Sequence, residues 1–271
     1  MTVVLAAMPE ELAALRGRLG ELTRIPTRGP GAPDAVGGRI GAHKVVLAVT
    51  GDGERNAREG AARVLEAVRA ERLIAMGVAG GLSSDLRACE LVLAERVVVE
   101  GKGTGDVVRE EQATQATIDH ALRAISARRG VVVTATRIAD TVPEKRRLLH
   151  LAAAGPLSAV VDLESASYVA AAVRADVPWL VLRAVSDTAD EPLPALLNRS
   201  RDAGGAVRRS GVVRGLFGDP GALPALLSLR RRLRHCADEL ARAAVALLSV
   251  PTPAYPPGER PDTQSSSGAL R

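Results

Sequence analysis

The stretch RLIAMGVAGGL (72–82) holds an apolar run, Leu73–Ala79, that leads into a pair of glycines. Arg72–Val78 shows no polar alternation, which predicts a β-strand covered on both faces. It runs straight into Ala79-Gly80-Gly81, where glycine suits a tight strand-to-helix turn. Outward in both directions, runs of the same kind alternate with helical patterns. Thr2–Ala7, Val45–Val49, Leu91–Val99, Gly130–Thr136, Ala159–Val161 and Trp179–Val185 read as strands. Helices are predicted from Pro9 to about Leu19 and over Arg55–Arg69, Gln115–Ala127, Pro143–Leu151 and Glu164–Arg174. Residues 24–38 and 101–113 read as loops. The alternation predicts an α/β fold, a mostly parallel, mixed central sheet flanked by helices.

The second half adds a long C-terminal helix over Pro224–Val250. Its stripe of Leu226, Leu229, Leu233, Cys236, Leu240, Ala244 and Leu247 has helical spacing and is expected to pack on the sheet. The chain of 271 residues suits one catalytic domain over 1–250. The Pro- and Ser-rich tail over 251–271 has little to bury and is expected to be disordered.

Composition narrows the function classes. Only four aromatic rings occur, Tyr168, Trp179, Phe217 and Tyr255, so stacking on single-stranded nucleic acid is not expected. The net charge of +5 owes much to late arginines, Arg199, Arg201, Arg208, Arg209, Arg214, Arg230, Arg231, Arg232 and Arg234. Such a cluster is a solvated helix face or a contact for an anionic surface. Cys89 and Cys236 lack metal-type spacing and read as reduced, small hydrophobes. With no signal-like start and no spanning apolar stretch, a cytoplasmic location is expected, with the inner membrane surface within reach. No metal-ligand cluster is visible.

Active sites of open α/β sheets gather at the carboxyl ends of strands. Four features fall there: Glu11, Ala79-Gly80-Gly81, Asp162-Leu163-Glu164-Ser165 and Ser186-Asp187. Each acid alone has an ordinary explanation. Glu11 and Glu164 fit first-turn helix charges, and Asp187 fits a cap. Several acids at neighbouring strand ends together suggest a polar ligand.

The strings AMPEE (7–11), GVAGGL (77–82), VVDLESAS (160–167) and LRAVSDTAD (182–190) together resemble the nucleoside phosphorylase/nucleosidase superfamily. The core pattern is most similar to its methylthioadenosine/S-adenosylhomocysteine nucleosidase branch. The resemblance covers roughly residues 2–190 and implies cleavage of a purine N-glycosidic bond without a cofactor. It implies that Asp187 is the general acid at N7 of the base and that Glu164 binds the ribose hydroxyls. Leu163, in place of a usual Met, would pack on the sugar, and Glu11 would activate the attacking water. Ala79 and Gly80 would bring backbone to the ligand, Ser186 would bind substrate beside the acid, and Ile138 would border the base. A homo-oligomer is implied by the resemblance alone. The chemistry agrees, since the departing base gains negative charge and the sugar becomes oxocarbenium-like.

Phosphorylases of this superfamily carry arginines at positions where this chain has Ala75-Met76 and Glu10-Glu11, and Val78 stands where a small hydroxyl is frequent. Phosphate without an arginine clamp is poorly held, so water is favoured as nucleophile, with phosphate as co-substrate left open. The stretch GLFGDPGALPALLSLRRRLRHCADEL (215–240) is similar to the C-terminal extension of hopanoid-associated phosphorylases. That branch implies adenine release from adenosylhopane in hopanoid side-chain synthesis, a lipid-linked nucleoside reached through peripheral membrane contact. A nucleosidase acting on small soluble nucleosides and a non-catalytic nucleoside- or lipid-binding protein are the alternatives.

Overall fold

Five consecutive buried residues make Thr2–Ala6 the strand β1, flanked on both sides by parallel neighbours. The computed structural model describes residues 1–29, 32–101, 106–200, 221 and 223–250. The tail over 251–271, expected to be disordered, and Arg201, Arg208, Arg209 and Arg214 lie outside them.

The elements follow in the order α1 (Pro9–Arg16), β2 (Gly20–Arg24), β3 (Asp34–Ile40), β4 (His43–Val49), α2 (Glu54–Ala67) and β5 (Arg72–Gly81). Then come β6 (Leu91–Glu100), β7 (Val107–Gln112), α3 (Gln115–Ala124), β8 (Arg128–Thr134), α4 (Val142–Ala152) and β9 (Ser158–Asp162). The described chain closes with α5 (Ser165–Arg174), β10 (Trp179–Asp187), α6 (Leu196–Arg199) and α7 (Leu223–Leu248). The strands form one mixed sheet, as the alternation of elements predicts.

Its pairing is not a simple row. β5 runs parallel to β1 over Arg72–Ala75 and parallel to β10 over Leu73–Gly80. Its last two residues, Gly80 and Gly81, pair antiparallel with Val161 and Val160 of β9. β10 pairs with β6, β6 with β8 and β8 with β9, so these five strands close a ring. β1, β4, β3 and β2 extend from the open side of β5. The ring brings the carboxyl ends of β5, β9 and β10 to one place.

Three expectations are corrected. Residues 24–38 are not all loop, because β2 ends at Arg24 and β3 starts at Asp34. Gly37 and Gly38 suggest a turn but serve close strand approach, since a Cβ at Gly38 would stand 2.5 Å from the Gly20 carbonyl oxygen. Residues 101–113 contain β7, an exposed, charged edge strand whose backbone pairs with β6 and which shows no apolar alternation to betray it. Ala79-Gly80-Gly81 does not turn away from the strand but carries it into the ring.

α7 divides in two. Cys236, Leu240, Ala244 and Leu247 are buried against α1, β5 and β10, as the stripe predicts. Leu229 and Leu233, two turns and one turn earlier, face a cavity instead of the sheet. Cys236 Sγ lies 2.8 Å from Cys89 Sγ, and both thiols are free.

Candidate active site

At the carboxyl ends of β5, β9 and β10 lies a cavity of about 270 Å³. That is near the lower end of the ~300–1,000 Å³ of small-ligand pockets. Glu11, Ala79, Gly80, Ile138, Leu163, Glu164, Ser186 and Asp187, drawn from five parts of the sequence, all line it.

Glu11 is the third residue of α1, and its side chain does two things. Oε2 accepts the backbone N–H of Met8 at 2.9 Å, closing the helix start, while Oε1 accepts the N–H of Val78 on β5 at 2.8 Å. The first-turn reading is therefore half of its role. Burial raises its pKa, against the two backbone N–H groups and the charge of Arg183. Gly77 makes this approach possible: a Cβ there would lie 2.7 Å from Glu11 Oε1 and 2.6 Å from Arg183 Nη1.

Arg183 stands within the apolar part of β10, Trp179–Val185, and is 2% exposed. Its Nε donates to Asp162 Oδ2 at 2.8 Å, and its Nη2 donates to Ser165 Oγ at 2.8 Å and reaches Asp162 Oδ2 at 2.7 Å. The Ser165 hydroxyl donates to Asp162 Oδ2 at 2.5 Å, and that of Thr134 donates to Oδ1 at 3.0 Å. Asp162 is thus spent on holding Arg183. Burial alone would lower the arginine's pKa, but Asp162 first and Glu11 next reverse this and keep it charged.

Glu164 caps α5, and its Oε1 accepts the N–H of Gly53 at 2.7 Å. Gly53 holds a positive φ of 87° that favours glycine. Burial, reinforced by the neighbouring Asp162, pushes the Glu164 pKa up to about 8, with the Gly53 N–H opposing.

Asp187 ends β10 and is 1% exposed. The Ser186 hydroxyl lies 2.5 Å from its Oδ1 and also 3.1 Å from the Ala79 carbonyl oxygen. The Lys145 ammonium donates to Oδ2 at 2.5 Å. Gly80 leaves room for this carboxyl, since a Cβ there would stand 3.2 Å from Oδ2.

Around these groups runs an apolar wall of Ile138, Leu163, Leu193, Leu197, Leu229 and Leu233. The backbone of Ile138 is tied by Asn198, whose side-chain oxygen accepts its N–H at 3.1 Å and whose amide donates to its carbonyl at 2.8 Å. Arg137 also lines the cavity and pairs with Glu144 at 3.3 Å. Among the described residues no group of acids, histidines and cysteines is arranged to hold a metal ion.

Sequence reading missed Lys145, Arg183 and Asn198. Lys145 hides in the charged run EKRR (144–147), which looks like a solvated helix face. Arg183 had a usable signal, a lone cation within the apolar strand WLVLRAV.

Comparison with known proteins bears on the fold and the family. Over 201 residues, 69% of this chain and 84% of the relative, it is 27% identical to a 5'-methylthioadenosine/S-adenosylhomocysteine nucleosidase of Geobacillus thermodenitrificans. The enzyme of the same name from Mycobacterium bovis is also 27% identical, over 223 residues. Neisseria meningitidis 5'-methylthioadenosine/S-adenosylhomocysteine nucleosidase, solved with methylthio-immucillin-A, superimposes with a TM-score of 0.68 at 20% identity. That match covers 91% of this chain and 97% of the other. Helicobacter pylori futalosine hydrolase gives a TM-score of 0.70 at 19% identity, with the same coverage. The family model described as the phosphorylase superfamily matches residues 2–216, and the chain belongs to that superfamily.

Proposed function

We propose that the chain hydrolyses the N-glycosidic bond of an adenine nucleoside that carries an apolar 5' group. The observation that carries this reading is the convergence of Glu11, Glu164 and Asp187 on one cavity. Asp187 supplies the proton that lets the base leave neutral, and Glu164 holds the ribose hydroxyls beside the developing positive charge. Glu11, whose pKa burial raises, takes the proton of the attacking water. Phosphate fits this corner poorly. Among the described residues, the buried cation next to Glu11 is Arg183, and two of its nitrogens are already committed to Asp162 and Ser165.

The apolar wall supports a bulky apolar substituent, of which the side chain of adenosylhopane is the case suggested by residues 215–240. α7 supplies Leu229 and Leu233 to the wall while Leu223 and Leu227 lie exposed at its start beside exposed Arg230, Arg231 and Arg234. This arrangement suits collection of a substrate from an anionic membrane surface. No described helix is long and apolar enough to cross a membrane.

A second reading, hydrolysis of small soluble nucleosides, is favoured by the nucleosidase relatives. Adenine release from nucleosides with 5'-methylthio, 5'-homocysteinyl and long 5'-alkyl groups separates the two. The long-chain substrate should show the highest kcat/KM; a preference for methylthioadenosine would replace the first reading with the second. Release from neither class, by folded protein, would leave the binding-protein alternative.

A further inference from the structure

Lys145 is fully buried, 1% exposed, in the first turns of α4, yet it does not line the cavity. Its ammonium has three protons and three acceptors: Asp187 Oδ2 at 2.5 Å, the Thr188 carbonyl at 2.6 Å and the Glu191 carbonyl at 2.8 Å. A buried lysine is costly to desolvate and persists where its charge is fully met. Two of its bonds go to the loop that follows β10, so the ammonium is held in place independently of Asp187. The third fixes one oxygen of the carboxyl whose other oxygen meets Ser186. Asp187 therefore cannot turn away from the cavity without leaving a buried cation unpaired.

We propose that Lys145 is the positioning residue of the acid step, holding the Asp187 carboxyl in place and stabilising the carboxylate that remains after proton delivery. This rests on the glycosidic reading above. In the step, the C1'–N9 bond breaks and its electron pair passes into the purine ring. Asp187 takes up one proton from solvent as the nucleoside binds, and this carboxyl proton moves to N7, so adenine leaves neutral. Asp187 is left as a carboxylate against the Lys145 ammonium, which keeps all three protons. The attacking water gives hydroxide to C1' and its proton to Glu11, and exchange with solvent resets both acids. The other charged groups near Asp187 are Arg232, which donates to the Ser186 carbonyl at 2.8 Å, and Glu191, which pairs with Arg232 at 2.6 Å. They largely satisfy each other, which leaves Lys145 as the direct partner.

The test compares two leaving groups in wild type and Lys145→Met. Adenine must be protonated to depart, whereas 4-nitrophenolate departs without a proton. The variant should lose about 100-fold in kcat for adenine release, the scale of a general-acid contribution. Its KM should stay within about threefold, and its turnover of 4-nitrophenyl riboside should fall by no more than about threefold. Equal losses on both substrates, or full adenine release, would overturn the proposal. If Lys145→Met does not fold, Lys145→Ala with added propylammonium provides the readout. Concentration-dependent rescue of adenine release supports the role, and a folded variant that binds adenine but shows no rescue contradicts it. A wild-type protein that cleaves neither substrate refutes the glycosidic reading itself, with this step included.

Discussion

The floor of the cavity and its wall are built on opposite principles. On the floor, each of four acids has at least one fixed partner: Glu11 two backbone N–H groups, Asp162 Arg183, Glu164 Gly53 and Asp187 Lys145. These groups sit at or just beyond strand ends in a largely buried site, where a fixed charge has large effects. The wall is leucine and isoleucine from α6, α7 and connecting segments, whose apolar side chains have no directional partner. Chemistry is preorganised on the strands, and selectivity is assigned to adaptable apolar groups on the elements laid over them. Damage to the floor should therefore abolish turnover of every nucleoside, and changes to the wall should alter which nucleoside is preferred.

The largest effect should come from the floor. Asp187→Asn keeps the shape but removes the transferable proton, and kcat for adenine release should fall about 1,000-fold, whatever the 5' group. Steady-state kinetics with two 5' substituents checks this; a loss confined to one of them would blur the division between floor and wall. Gly77→Ala comes next. Its Cβ would be driven between Glu11 and Arg183, costing on the order of 3 kcal/mol of stability, activity or both. A variant with wild-type melting behaviour and wild-type kcat would show that the floor is looser than its geometry indicates.

A smaller effect concerns pH. The Glu164 pKa is raised in the fold to about 8 from an ordinary 4.5, so the folded state holds this proton more tightly than the unfolded chain does. Stability from this group is full below the unfolded value and is lost as pH rises between about 4.5 and 8. Glu164→Gln removes that dependence. It should stabilise the protein near pH 8 by about 2 kcal/mol, after a discount for the cavity's opening to solvent, and leave stability near pH 4 almost unchanged. Denaturant unfolding at the two pH values provides the check, and equal shifts at both would rule out titration as the cause.

The smallest effects belong to the wall. Leu229→Ser or Leu233→Ser should raise KM about 10-fold for a long 5'-alkyl nucleoside and change it little for adenosine. Equal changes for both substrates would remove the wall from specificity.

The sequence was most legible where one residue type had one physical use. Apolar runs predicted the strands that bound the cavity, because strands buried on both faces tolerate little else. The acids at their ends were visible as charges placed where burial makes charge expensive. β7 was illegible because an edge strand needs backbone partners more than apolar side chains, and β3 because its glycines also suit turns. Lys145 was hidden for a different reason. Position in a charged helix run does not reveal that one of four neighbouring charges points inward to Asp187, a residue 42 positions later. The division of α7 between sheet and cavity was equally invisible, since the same leucine spacing serves both.

Hydrolysis by this floor is tested most directly by running adenine release in H2-18O, with and without phosphate, and following the label. Turnover should be independent of phosphate, and the sugar product should carry one 18O atom at C1'. Turnover that requires phosphate and yields an unlabelled sugar 1-phosphate would contradict it.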